Sequence, residues 1–242
     1  MKIRKDYTTS FFGRYANVEY DYIKQGDCLQ LMKDVPCGSV DMILTDPPYG
    51  IRYRSNMRVK TDRFDPLEND DNDTRLLAYS EFARILKSDS VAIVFASWKN
   101  VAVDIQELQK YFDIKNIIVW FKGGGGIGDL KHTLSTDYEL AIVCHKGKCR
   151  LRGKREGSVW SCRKVTPSKM LHATQKPIDL LVRMIEKYTD RNAVVFDPFM
   201  GSGSTCVAAV NSGRHYIGFE IDEKYFEIAR KRLDENIMKP EV

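Results

Sequence analysis

The chain has 242 residues, 43% of them hydrophobic and 29% charged, with a formal net charge of +5. That length supports one sizeable α/β core. No apolar run reaches the length of a membrane span and the opening residues are polar rather than a secretory signal, so a soluble, cytoplasmic protein is expected.

Val18 to Ile23 alternates apolar and polar residues and reads as a strand. Asp27 is placed to cap a short helix from Leu29 to Lys33. Val40 to Thr45 is an apolar run with the length of a buried strand, and it ends in Asp46-Pro47-Pro48-Tyr49-Gly50. Residues 50–73 are polar, charged and aperiodic, the pattern of a lid loop. A helix is expected over Thr74–Lys87, a strand over Val91–Ala96, a helix over Lys99–Lys110 and a strand over Ile114–Phe121. The glycines at 123–126 and 128 precede neither a Lys-Ser/Thr pair nor an apolar helix, so they read as a hinge rather than a phosphate loop. Glu139–His145 reads as a strand. Pro177 occupies the first position of a helix whose apolar face is Ile178, Leu181, Val182, Ile185 and Tyr188. Ala193–Phe196 is a strand, Cys206–Asn211 a helix ended by Gly213, and His215–Ile221 a strand. Asp222 caps a last helix over 223–236, with Tyr225, Ala229 and Leu233 inward. Strands alternating with helices predict a doubly wound, mostly parallel sheet in a single domain spanning 1–242.

Two stretches carry chemistry. At the end of the Val40–Thr45 strand, prolines fix the backbone and remove N–H donors. The Asp46 carboxylate and the Pro47 carbonyl can then accept two hydrogen bonds from one planar –NH2 group, with the flat face of Tyr49 beside it. The plainer alternative is a proline turn with Asp as its first residue. The second stretch is Asp197-Pro198-Phe199-Met200-Gly201-Ser202-Gly203-Ser204-Thr205, a turn between strand and helix. Its glycines let the backbone approach a ligand, and Glu220 ends the following strand, where a carboxylate can accept from ribose hydroxyls. No lysine serves a triphosphate and the dinucleotide fingerprint is incomplete, so a ligand with ribose and no phosphate fits best.

Charge is uneven. Residues 146–169 hold nine Lys/Arg against the single acid Glu156, which leaves the remainder mildly acidic and suggests a polyanion partner. The six cysteines include no C-x-x-C pair. Cys144, Cys149 and Cys162 with His145 and His172 match no standard zinc spacing, so reduced thiols and no metal are expected.

Together these motifs resemble the S-adenosylmethionine-dependent DNA amino-methyltransferases, in the class whose catalytic motif precedes the cofactor motif (the β group). The resemblance is carried by Asp46-Pro47-Pro48-Tyr49, His172-Ala173-Thr174-Gln175-Lys176-Pro177, the 197–205 turn and Ile217-Gly218-Phe219-Glu220, in the family's order. It implies a Rossmann-like class I methyltransferase fold with circularly permuted motifs, acting on the N6 amine of adenine in double-stranded DNA; cytosine N4 is the nearest rival. It implies catalytic roles for Asp46, Pro47 and Tyr49. It implies an S-adenosylmethionine site of Asp27, Cys28, Asp46, Lys176, Pro177, Asp197, Phe199, Gly201, Ser202, Gly203, Thr205, Glu220 and Ile221. Target recognition is expected at about 122–171, with Lys148, Arg150, Arg152, Lys154, Arg155, Arg163 and Lys164 as DNA contacts. A second copy of the chain and a cognate restriction endonuclease are the other expected partners. One departure is visible: relatives often carry a base-holding aromatic on the strand corresponding to 139–146, and here only Tyr138 or Trp160 could stand in.

Overall fold

The computed structural model describes residues 19–48, 72–124, 131–166 and 175–237. Its centre is an eight-stranded sheet in the order β1-β8-β7-β2-β3-β5-β4-β6. The strands are β1 (Tyr22–Gln25), β2 (Val40–Thr45), β3 (Leu86–Ala96), β4 (Asp113–Phe121), β5 (Tyr138–Lys146), β6 (Val159–Ser161), β7 (Val194–Asp197) and β8 (His215–Glu220). From β1 to β3 neighbouring strands run parallel. β5 runs antiparallel to both its neighbours, β3 and β4, and β6 pairs parallel with β4. The doubly wound, mostly parallel sheet expected from the sequence is therefore present.

Both faces of the sheet are covered, which is why the central strands read as unbroken apolar runs. On one face lie α4 (Ile178–Tyr188), α5 (Ser204–Asn211) and α6 (Glu223–Ile237), packed on a core that includes Met42, Leu44, Ile93 and Val195. On the other lie α1 (Cys28–Leu31), α2 (Asn72–Ile85) and α3 (Val101–Leu108), against Ile43, Val94, Phe196 and Phe219. Tyr225, Ala229 and Leu233 of α6 point inward as expected, and Asp222 accepts from Tyr225 N at 3.0 Å at the helix start. Among the described residues no helix is long and apolar enough to cross a membrane.

Several boundaries differ from the sequence reading. α2 ends at Ile85 and Leu86 already belongs to β3, so Lys87 is a strand residue, ion-paired with Asp41 of β2 at 2.8 Å. The polar run Lys87-Ser88-Asp89-Ser90 conceals this early start. Pro177 is the residue before α4 and not its first helical position, with φ −63° and ψ 132°. The three-residue β6 was not anticipated; it lies inside a polar, basic stretch and shows no alternation of its own.

Behind the sheet, α2 and α3 are joined by a buried ion pair. Arg75 Nε donates to Asp104 Oδ1 at 2.7 Å, and Tyr79 Oη donates to the same oxygen at 2.9 Å. Both charged side chains are almost fully enclosed, 2% and 1% exposed.

Candidate active site

β7 and β2 lie side by side although β7 follows β2 by some 150 residues. Met42 pairs with Val195 and Ile43 with Phe196, so both chains leave the sheet at the same end. This is the point where the winding direction reverses, the usual place for a ligand in open α/β sheets. Thr45 Oγ1 donates to Asp197 Oδ1 at 2.6 Å, tying the catalytic corner directly to the glycine turn.

The turn is built for close approach. Gly201 and Gly203 both have positive φ, 52° and 76°. A Cβ on Gly203 would stand 2.9 Å from Ala229 Cβ of α6, so only glycine lets α6 pack there. Asp197 is 3% exposed and also accepts from Phe199 N at 3.1 Å; burial raises its pKa to about 6 despite these donors. Ser202 and Thr205 are buried in the turn and the first turn of α5. Glu220 ends β8. Its two oxygens accept from Gly201 N at 2.8 Å and Asp222 N at 2.9 Å, so the carboxylate braces the glycine turn. Burial pushes its pKa up to about 7. A carboxylate has about four acceptor positions, so these bonds leave capacity for ribose hydroxyls. Asp27 and Cys28 sit beside it, because Gln25 pairs with Glu220 across β1 and β8 and Gly26 N donates to the Glu220 carbonyl at 2.8 Å. Asp27 caps α1 by accepting from Leu29 N at 2.9 Å, and burial raises the Cys28 thiol to about 12, so it is no nucleophile.

Asp46, directly after β2, is mostly enclosed, and Pro47 is buried. Lys176 Nζ donates to Asp46 Oδ2. The same ammonium pairs with Glu139 Oε2 at 3.1 Å and lies 4.8 Å from the centre of the Phe95 ring. Lys176 is 6% exposed. Burial alone would lower its pKa, but Asp46 and Glu139 outweigh that and raise it. Burial would likewise raise the Glu139 carboxyl, and Lys176 and Lys122 reverse the direction and lower it; Lys122 Nζ stands 3.4 Å from Glu139 Oε1. Glu139, Thr45 and Lys122 were missed in the sequence. A carboxylate at the head of an apolar strand was the one available signal for Glu139.

The structure gathers Asp27, Cys28, Asp46, Pro47, Lys176, Pro177, Asp197, Phe199, Gly201, Ser202, Gly203, Thr205, Glu220 and Ile221 at one end of the sheet. Tyr49, most of the 50–73 lid, His172 and part of the 123–128 glycine run lie outside the described residues. Trp160 is 3% exposed in the core, its ring under the Arg183 guanidinium, and so presents no face to a base.

The basic segment divides. β5 runs away from the site, pairing Leu140 with Ala96 and Lys146 with Ser90. Lys148, Arg150, Arg152, Lys154 and Arg155 therefore follow its far end; the nine residues of β5 span roughly 26 Å. There Arg152 ion-pairs with Asp190 at 2.7 Å and donates to the Tyr188 carbonyl at 2.8 Å, while Glu156 pairs with Lys187 at 3.1 Å, clasping the end of α4. β6 then returns beside β4, pairing Ser161 with Phe121, and brings Arg163 and Lys164 back to the end that holds Asp46. Residues 138–146 of the expected recognition region are thus an interior strand of the sheet.

A buried acidic corner beside a glycine turn, at the reversal of a doubly wound sheet with one antiparallel strand, defines a class I methyltransferase site. Residues 40–231 match the N6/N4 DNA methylase family, and the chain belongs to it. Membership makes it an enzyme that methylates DNA with S-adenosylmethionine as methyl donor. It is 33% identical to YubD of Escherichia coli, a methylase by name, over 225 residues covering 86% of this chain and 88% of that one. It is 29% identical to the DNA adenine methyltransferase YhdJ of the same organism, over 91% of this chain and 85% of that one. The crystal structure of M1.HpyAVI in complex with S-adenosylmethionine superposes with a TM-score of 0.71 at 26% identity, covering 88% of this chain and 98% of that one.

The donor set suits that cofactor. Glu220 keeps acceptor capacity beside the glycine turn, and Lys176 is already engaged by two acids. Such a site suits ribose hydroxyls and leaves no lysine for a polyphosphate.

Proposed function

We propose that the chain methylates the N6 amine of adenine in double-stranded DNA, with the target base rotated out of the helix. The observation carrying this reading is the Thr45–Asp197 hydrogen bond, which puts an amine-accepting corner and a cofactor turn on adjacent strands. An aspartate at position 46 supports adenine over cytosine N4, because N4-methylating relatives more often have serine there. The adenine specificity in the name of YhdJ points the same way.

S-adenosylmethionine supplies an electrophilic methyl group on sulfur. Glu220 would hold its ribose, the 199–203 turn its body, and Asp27 and Cys28 its adenine side. Asp46 and the Pro47 carbonyl accept the two amine hydrogens, which turns the nitrogen lone pair out of conjugation with the ring. As the nitrogen–methyl bond forms and the methyl–sulfur bond breaks, the cofactor would leave as its neutral thioether, the Asp46 carboxylate stabilises the positive charge that develops on the nitrogen, and the methylated amine then loses one proton to solvent. The amine is out of reach inside a duplex, so the base is flipped, and stacking on Tyr49 offsets part of the lost stacking.

The duplex would approach the end of the sheet that holds Asp46. Trp98, 55% exposed just beyond β3 with Lys99 over its ring, stands at that end together with Lys122, Arg163 and Lys164. This reading moves the DNA face away from Lys148–Arg155. A soluble cytoplasmic enzyme, a homodimer and a cognate endonuclease belong to the same reading, and sedimentation of the purified chain tests the dimer. Mass spectrometry of bases from DNA methylated by the purified enzyme tests the function: N6-methyladenine is expected, and N4-methylcytosine would overturn it.

A further inference from the structure

We infer that Glu139 is a positioning residue for Asp46, acting through the Lys176 ammonium. The inference rests on the reading of Asp46 as acceptor of the target amine.

The terminal torsion of an aspartate is broad, so a carboxylate in a pocket takes a defined orientation only when a partner imposes one. Lys176 is such a partner. Its ammonium engages Oδ2, which sets the direction in which the carboxylate meets the amine beside the Pro47 carbonyl. A lysine is a flexible four-carbon stem ending in a point charge and needs anchors of its own. Two are present: the Phe95 ring at 4.8 Å and Glu139 Oε2 at 3.1 Å, an ion pair that holds the ammonium by charge and not by an aligned hydrogen bond. Lys122 holds the other oxygen of Glu139 at 3.4 Å.

The result is a row of alternating charges, Asp46, Lys176, Glu139, Lys122, laid across the ends of β2, β5 and β4. Removing the third member frees the second to drift, and Asp46 loses its fixed orientation while keeping its own side chain.

A purely structural brace would act differently. Its loss would lower stability and leave turnover per folded molecule unchanged. A residue serving only the cofactor would weaken cofactor binding. Loss of a positioning residue slows the chemical step and weakens capture of the flipped base while cofactor affinity holds. Among the described residues the charged groups facing Asp46 are Lys176 ahead of α4 and Asp197 at the end of β7; those facing Glu139 are Lys176 and Lys122.

The test compares Glu139→Gln, Glu139→Asp and wild type. It measures single-turnover methyl transfer across pH, cofactor affinity by calorimetry, melting temperature, and the fluorescence of DNA with 2-aminopurine at the target base. For Glu139→Gln the rate should fall roughly 10- to 100-fold, as expected for a misplaced catalytic group. The flipped-base signal at equal DNA occupancy should fall, and cofactor affinity should stay within about twofold of wild type. Glu139→Asp should restore part of each. A Glu139→Gln enzyme with wild-type rate and flipped-base signal overturns the inference, whether or not its melting temperature drops. If that variant does not fold, Lys122→Gln decides at saturating DNA: a smaller fall in the rate and in the flipped-base signal supports the inference, and wild-type values of both overturn it. Failure of the wild-type enzyme to methylate adenine would instead sink the reading of Asp46, a separate outcome.

Discussion

Two buried ion networks lie on opposite sides of this molecule's sheet, and they are built differently. Behind it, Arg75, Asp104 and Tyr79 join α2 to α3, with both charges at most 2% exposed. At the strand ends, Lys176 bridges Asp46 and Glu139, whose side chains remain 17% and 29% exposed. The first uses a planar guanidinium, whose rigid fork suits a fixed contact. The second uses a lysine, a point charge that two acids share. Asp104 is sealed between two helices, whereas Asp46 stands at the strand ends where a ligand can reach it. Burial of charge by itself therefore says little about role, and the identity of the cation and the access to the carboxylate distinguish a strut from a working group.

Five variants break or sharpen that contrast. The largest effect is expected for Asp46→Ala, which should cut methyl transfer by roughly 10³-fold or more, by analogy with loss of a group that stabilises transition-state charge. Cofactor affinity should change little, and full turnover measured with tritiated cofactor would erase the distinction drawn here. Next is Asp104→Ala. Removing one partner of a buried pair costs about 3–5 kcal/mol, so denaturant unfolding should show a loss of that order while turnover per folded molecule persists.

Glu220 gives an intermediate effect that depends on pH. Its pKa of about 7 in the free enzyme comes from burial. Ribose hydroxyls donate to the ionised carboxylate and so favour it. Cofactor affinity should rise as pH increases through about 7, with a proton released on binding below it; Glu220→Gln should weaken binding and flatten this dependence. Calorimetry in buffers of different ionisation enthalpy reads both. For stability the sign is opposite: a raised carboxyl pKa favours the folded free enzyme below the unfolded value, and that contribution is lost as pH rises through about 7.

The smallest effects come from surface charge. Neutralising Arg163 and Lys164 should weaken DNA binding and reduce its salt slope by about one unit for each phosphate no longer neutralised. Neutralising Lys154 and Arg155, at the far end, should change the slope little. The reverse pattern would return the DNA face to the far-end loop.

Much of this was legible in the residues. β2 begins and ends where its apolar run does, since a parallel strand covered on both faces carries its signal in nearly every position, Asp41 excepted. Asp27 and Asp222 cap as their positions suggested, because capping is a local matter. The Asp46 corner and the glycine turn could be recognised separately, and the 2.6 Å Thr45–Asp197 bond that unites them could not, for its partners are 152 residues apart. The same limit hid Glu139, whose role depends on Lys176 arriving from another element. It also hid the division of the basic segment. Charge counted along the chain ignores that β5 carries it to one end of the sheet and β6 brings it back.

The separation of Thr45 from Asp197 has a consequence during synthesis. At ~5–20 residues per second, the ribosome delivers the glycine turn about 8–30 seconds after the acidic corner. Until then β2 lacks its neighbour β7 and exposes an unpaired edge. A growing chain therefore carries the acidic corner before the turn that would hold a methyl donor.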